Sequence, residues 1–240
     1  MRISIVIPML DEAKALPALR EVLQALDPAP FEIICVDGGS EDGSAELAEG
    51  YSWQVITSAR GRGIQINTGV EAAKGDAVLV LHADSYPPVD AMLVINQTLA
   101  DPKIALASFT PVIRGASKTR WGTTLHNWAK TWYAPLLFRP HLFVQGVRLL
   151  FGDHGMFFRR ADFLKVGGCD PQARVMEEAD LCIAMARLGK VRLVARAIET
   201  SDRRIAEWGA LKANWIYLKV GFLWAMGARE RLERHYPDVR

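Results

Sequence analysis

Four clusters of ionisable residues stand out in this sequence of 240 residues, three of them close to glycines or prolines, and each is placed to meet an anionic or hydroxylic ligand. Asp37, in VDGGSEDGS, closes an apolar run and precedes two glycines that let a ligand approach the backbone. A surface carboxylate there can accept hydrogen bonds from a nucleobase or ribose. The competing reading is a tight turn with a helix capped by Asp42 or Ser44. Asp84, in LHADS, ends another apolar run, where a firmly held carboxylate suits a hard divalent cation on a diphosphate. Capping before Pro87 and Pro88 is its alternative role. His82 could touch the same cation or phosphate, or be a hydrogen-bonded structural residue. Arg60 and Arg62 flank Gly61 just before a helical pattern, which fits a phosphate-bearing ligand or a solvated basic loop. Glu177, Glu178 and Asp180 open a late helix whose dipole favours acids there, and one glutamate could act as a general base.

Residues so placed need strands that end beside them. Apolar runs at 3–7, 31–36, 53–57 and 77–81 read as strands. Helical patterns at 45–50, 65–74 and 89–99, with Leu16, Leu19, Val22, Leu23 and Leu26 at helical spacing, separate them. This alternation predicts an α/β fold with a mainly parallel sheet, whose carboxyl edge is where ligands bind. Beyond residue 110 the alternation fails. Trp121, Leu125, Trp128, Trp132 and Leu136 recur at helical spacing, GDHGMFFRR leads into a short helix, 176–188 reads as a helix, and 191–194 as a strand. Leu211, Trp215, Leu218 and Phe222 form a second stripe near the C-terminus. Both stripes suit core packing or a homodimer contact, and, with Arg120 and Lys130 on other faces of the first, Trp and basic residues together also suit a membrane interface.

A formal net charge of +2 excludes a broad basic surface of the kind that binds nucleic acid. Cys35, Cys169 and Cys182 are odd in number and lack paired metal-ligand spacing, so neither a disulfide framework nor a zinc site is expected. The opening MRISIVIPML is too short for a signal peptide, and no run reaches the roughly 20 apolar residues of a membrane-spanning helix. A cytoplasmic protein is expected, with peripheral contact at the inner face of the membrane as the alternative.

Taken in order, the segments become specific. Ile5-Val6-Ile7-Pro8 with Asp11-Glu12, Val36 to Ser40 with Asp42-Gly43, Gly61-Arg62-Gly63 with Asn67, and Leu81 to Asp84 resemble the nucleotide-sugar half of glycosyltransferase family 2. Gly152 to Gly155, Phe163, Gly167-Gly168 and Met176-Glu177-Glu178 resemble its acceptor half. The likeness runs from residue 3 to about 195 and is nearest to a small bacterial subgroup linked to arsenosugar biosynthesis.

The resemblance implies one GT-A domain over 1–240: a nucleotide-sugar half at 1–110, an acceptor half at 111–200 and C-terminal helices at 201–240. It implies that Pro8, Glu12 and Asp37 line a uridine-type nucleotide pocket, that Arg62 lies near the nucleotide, and that Asp84, with His82, holds Mg2+ or Mn2+. Asp153, His154 and Glu177 would meet the acceptor, a small molecule or a lipid, and Glu178 would be the catalytic base. The family's Asp-x-Asp has His82 at its first position here, and Glu178 stands where the family has Asp. A Gln-x-x-Arg-Trp motif is absent, which implies transfer of one sugar at a time; an inverting transfer is the expected chemistry. Alternatives are a membrane-surface transferase acting on polyprenyl phosphate and a nucleotide-sugar-binding protein without catalysis.

Overall fold

Strand residues alternate between faces, so a strand that is apolar at every position must be covered on both sides. The first strand, apolar but for the buried Ser4, is of this kind. The elements run β1 (Ile3–Met9), α1 (Leu16–Gln24), β2 (Glu32–Asp37), α2 (Ser44–Gly50), β3 (Gln54–Thr57), α3 (Arg62–Ala72), β4 (Ala77–Val80), β5 (Ser85–Tyr86) and α4 (Ala91–Leu99). Then follow β6 (Ile104–Arg114), α5 (Trp121–Phe138), α6 (Pro140–Val144), a 3-10 turn at Gly152–His154, β7 (Met156–Arg159) and α7 (Arg160–Lys165). The chain ends with α8 (Glu177–Met185), β8 (Lys190–Ser201), α9 (Arg203–Trp208) and α10 (Ala210–Ala225). The computed structural model describes residues 1–115, 118–173 and 175–228. Of the C-terminal helices expected over 201–240, residues 229–240 lie outside the described residues.

Among the described residues, eight strands form one sheet in the order β3-β2-β1-β4-β7-β6-β8-β5. β3, β2, β1 and β4 are mutually parallel, as the alternating first half predicts. β7 enters antiparallel between β4 and β6, β8 runs parallel to β6, and β5 closes the far edge antiparallel to β8. The sheet is therefore mixed in its second half. Ile3, Ile5 and Ile7 pack with Leu16, Leu19 and Leu23 of α1 on one face, while Val6 packs with Ile66 and Val70 of α3 on the other. Each such fully buried aliphatic side chain stabilises the fold by about 1.5–3 kcal/mol.

Helix α3 lies unusually close to the sheet. A Cβ on Gly69 would stand 2.3 Å from Val6 Cγ1 and 2.9 Å from Val36 Cγ2, so only glycine fits there. Gln65 Nε2 donates to the carbonyls of Met9 and Val36, both at 2.8 Å, tying the helix to the ends of β1 and β2. The N-terminus of α3, with Arg62, is thereby fixed over the carboxyl edge.

Several boundaries differ from the sequence reading. β6 and β7 carried no strand expectation, and the strand expected at 191–194 extends over Lys190–Ser201. The helix expected at 176–188 spans Glu177–Met185 and closes in turns up to Gly189. Core packing of the two aromatic stripes is overturned. Helix α5 turns Thr124, Asn127 and Thr131 inward and leaves Trp121 70% and Leu125 64% exposed. On α10, Ala213, Val220 and Trp224 are buried, whereas Leu211 is 89% and Trp215 67% exposed. Hydrogen bonds explain the inversion: Thr124 Oγ1 accepts from Ile113 N at 3.0 Å, and Asn127 Nδ2 donates to Asp153 Oδ2 at 2.7 Å.

Candidate functional site

Four strand and helix ends converge at the carboxyl edge of β1 and β4, and two adjoining cavities open there among the described residues. The smaller, about 650 Å3 measured out to open solvent, is lined by Pro8, Glu12, His82, Asp84 and Arg203 among others. The larger, about 1090 Å3 on the same measure, lies between α5 and α10 and reaches Glu177 and Glu178 at the start of α8. Arg62, His82, Ile113, Asp153 and Tyr217 line both. The structure thus brings Pro8, Glu12, Arg62, His82, Asp84, Asp153, Glu177 and Glu178 together.

Asp37 does not join them. It is 5% exposed, and its carboxylate accepts hydrogen bonds from Gly39 N, Ser40 N and the Ser40 hydroxyl. The expectation of a surface carboxylate is therefore corrected: Asp37 organises its own turn. That turn in turn holds the Asp11-Glu12 segment, because Ser40 Oγ accepts from Asp11 N at 2.9 Å and Ser44 Oγ from Glu12 N at 2.8 Å. Ser40 and Ser44 thereby position Glu12.

Asn67 and the Gly167-Gly168 pair also prove to be scaffolding. Asn67 exchanges two 2.8 Å hydrogen bonds with the backbone of Cys169, and Gly168, at φ 71°, passes so close that a Cβ would meet Asn67 Oδ1 at 2.6 Å. This clasp joins α3 to the segment preceding α8.

Met176 caps α8 in a left-handed conformation, φ 67°, which side-chain-bearing residues rarely adopt. It sets Glu177 and Glu178 into the cavity wall. Helical geometry alone predicts that neighbours diverge. Instead both carboxylates are buried, and Oε1 of each stands 3.6 Å from Arg62 Nη1. One guanidinium thus gathers both acids.

Asp153 borders both cavities, held by Asn127, whereas His154 lies fully buried behind it with its Nε2 3.6 Å from Asp153 Oδ1. His154 lines neither cavity. Burial pushes its imidazole down to about 4, with Asp153 opposing and Lys130 assisting, so the ring is neutral at pH 7. Burial also opposes ionisation of Asp153, but His154, Lys130, the Asn127 hydrogen bond and His82 outweigh it and hold that carboxyl below its ordinary range. Across the larger cavity, Lys130 Nζ lies 3.7 Å from the Phe151 ring centre, and His126 bonds Asn214 and Tyr133 at 2.9 and 2.6 Å.

Sequence reasoning missed Arg203. Its Nη1 and Nη2 bond the two Glu12 carboxylate oxygens at 3.0 Å each, and Nη2 stands 3.4 Å from Asp84 Oδ2. No motif marked it, since it follows β8 and is 191 residues from Glu12.

Cys35, Cys169 and Cys182 are buried and free. Burial raises their thiols, to about 12 for Cys35 and Cys182, which makes them inert core residues.

A mixed sheet with helices on both faces and a two-part cavity at its carboxyl edge defines the GT-A class of fold. The mannosyltransferase PcManGT from Pyrobaculum calidifontis, solved in complex with GDP-Man and Mn2+, superposes with a TM-score of 0.67 at 17% identity, covering 100% of this chain and 66% of that one. The chain belongs to Glycosyl transferase family 2, which it matches over residues 4–167. Among curated relatives, the undecaprenyl-phosphate 4-deoxy-4-formamido-L-arabinose transferase of Pseudomonas paraeruginosa is 29% identical over 138 residues, 53% of this chain and 41% of the relative. The PGL/p-HBAD biosynthesis glycosyltransferase of Mycobacterium bovis is 26% identical over 188 residues, 75% of this chain and 68% of the relative. The match spans less than half the length of the first of these.

Proposed function

We propose that this chain transfers one sugar at a time, with inversion, from a nucleoside-diphosphate donor, a UDP-sugar in the first instance, to a hydroxyl or phosphate acceptor. The observation that carries this reading is the meeting of the two cavities at Arg62, His82 and Asp153, with Pro8, Glu12 and Asp84 on one side and Glu177 and Glu178 on the other. Residues 1–110 would hold the donor and 111–200 the acceptor, with α9 and α10 closing both cavities. In the smaller cavity Pro8 and Glu12 would border the nucleotide and Asp84 the diphosphate. In the larger one Asp153 and Glu177 would orient the acceptor and Glu178 would take its proton. A sugar placed where the cavities join would present its anomeric carbon to an acceptor entering from the opposite side. His126, Lys130 and Tyr133 give the larger cavity a polar rim that a hydroxylic acceptor could meet.

A panel of UDP-, GDP- and other nucleotide sugars should raise the melting temperature selectively, because a ligand of the native state alone stabilises it. Absence of a shift with every donor would remove this function.

Mg2+ or Mn2+ is the cofactor the resemblance implies, yet the residues at the strand end fit such an ion poorly. Asp84 contributes a carboxylate, Arg203 stands 3.4 Å from it, and Glu12 is gripped by the same guanidinium. Among the described residues, no group of three His, Cys, Asp or Glu side chains is placed to hold an ion.

A second reading, action on a polyprenyl phosphate at a membrane surface, is favoured by the outer faces of α5 and α10. No helix among the described residues is long and apolar enough to cross a membrane. Both helices nevertheless present large apolar side chains outward, including Trp121, Leu125, Leu211 and Trp215. Lys118 just before α5 and Lys212 and Lys219 on α10 are exposed, whereas Lys130 lines the larger cavity and Arg120 bonds Asp202. A basic apolar face suits anionic lipid, with Trp at the headgroup level. In a two-fold homodimer built on this face, like charges would oppose one another. We expect the chain to sediment with phosphatidylglycerol vesicles, and to remain in the supernatant with phosphatidylcholine, in high salt, or after Trp121→Ser with Trp215→Ser. A soluble dimer that ignores both vesicles would overturn this reading.

A further inference from the structure

We propose that Arg203 is the resident cation of the donor site, a guanidinium that in this chain takes the place of a divalent metal between Asp84 and the departing diphosphate. The inference rests on the donor reading above and concerns how that site balances charge.

β5 begins immediately after Asp84 and pairs with the end of β8, Ser85 opposite Thr200, with Ser85 Oγ 3.2 Å from Thr200 Oγ1. Ser201 N donates to the Asp84 carbonyl at 3.1 Å, and Arg203 N donates to Ser201 Oγ at 3.2 Å. Arg203 is therefore held beside Asp84 by a sheet edge rather than by a free loop. Bonds to Glu12 use two of the five guanidinium N–H donors. Its Nε is buried and, among the described residues, has no hydrogen-bond partner. A buried donor left unmatched on a cavity wall is costly unless a ligand supplies the acceptor.

In the transfer, the acceptor oxygen forms a bond to the anomeric carbon and its proton passes to the Glu178 carboxylate. The bond from that carbon to the diphosphate oxygen breaks, and its electron pair leaves with the diphosphate, which gains one negative charge. A guanidinium meets phosphate oxygens through directed, charge-assisted hydrogen bonds and stays protonated throughout. With His82 in place of a carboxylate, the strand end presents Asp84 to this cation without a second acid at the first position of the family motif. Arg203 lines the cavity on the side of Asp84, and Arg62 lines it as well.

The test is calorimetry on the whole chain with UDP and GDP, each compared with its nucleoside, in Mn2+ and in excess EDTA. The parent should bind its preferred nucleoside diphosphate equally well in both. Arg203→Ala should weaken that binding by roughly tenfold or more, the scale of losing charge-assisted hydrogen bonds, while nucleoside affinity stays at the parent level. Arg203→Lys, which keeps the charge at lower risk to folding, should retain part of the diphosphate increment. Adding His82→Asp to Arg203→Ala should make binding depend on Mn2+. Parent binding that vanishes in EDTA, or an Arg203→Ala variant that binds like the parent, overturns the inference and leaves the donor reading standing. If neither diphosphate binds the parent, the donor reading fails and takes this inference with it.

Discussion

Glu178→Gln is expected to lower sugar transfer by roughly two to four orders of magnitude, the usual effect of losing a positioned general base. Glutamine keeps the volume and hydrogen-bonding capacity but removes the basic oxygen, so donor affinity should be unchanged. The side chain sits at the first turn of α8, which Leu181, Cys182 and Met185 anchor in the core, and this rigid seat makes the loss steep. Glu177→Gln is the control. Because Arg62 draws both carboxylates to 3.6 Å, direction along the helix does not separate them and only the kinetics can. An inactive Glu177→Gln beside a normal Glu178→Gln would move the role by one residue.

Arg62→Ala should cost about two to three orders of magnitude in transfer, comparable with losing a preorganised electrostatic contact. It should also lower thermal stability. Arg62 is 34% exposed at its side chain, while the glutamates it faces are 1% and 7% exposed. Removing the partner of buried charges destabilises strongly, and the partial exposure of Arg62 scales that to about 2–3 kcal/mol. Arg62→Lys should recover stability more than activity, since an ammonium restores charge without the planar fork. Wild-type turnover by Arg62→Ala would take this residue out of the mechanism.

Strands that are apolar almost throughout were readable in the sequence, because burial on both faces leaves a near-continuous signal, as in β1, interrupted only by Ser4, and in β4. β6 escaped because its apolar run shifts register twice and carries Pro111, and β7 because four residues give no period. At the site, Arg62, Asp84 and the two glutamates were visible as charges at element ends, whereas Pro8, Glu12 and Asp153 came only from the family resemblance. Asp37 read as a surface carboxylate because a carboxylate before glycines looks the same in sequence whether its oxygens face solvent or its own turn. Arg203 was invisible because its meaning arises only when the end of β8 is laid beside β5. The aromatic stripes were read inward since helical spacing reports that a face is apolar, not which way it points; the polar contacts of Thr124 and Asn127 decide that.

The neutral imidazole sealed behind Asp153 sets an acid boundary from within. An unfolded chain takes up the His154 proton near the ordinary value of about 6.5, whereas the native state resists it until about 4. Between those values the unfolded state binds more protons, so stability is full above the upper one and drains away as pH falls toward the lower. Each unit separating the two is worth about 1.4 kcal/mol. Below both, the penalty is complete and constant. A group that lines neither cavity thus makes the floor beneath them lose stability as the surroundings acidify.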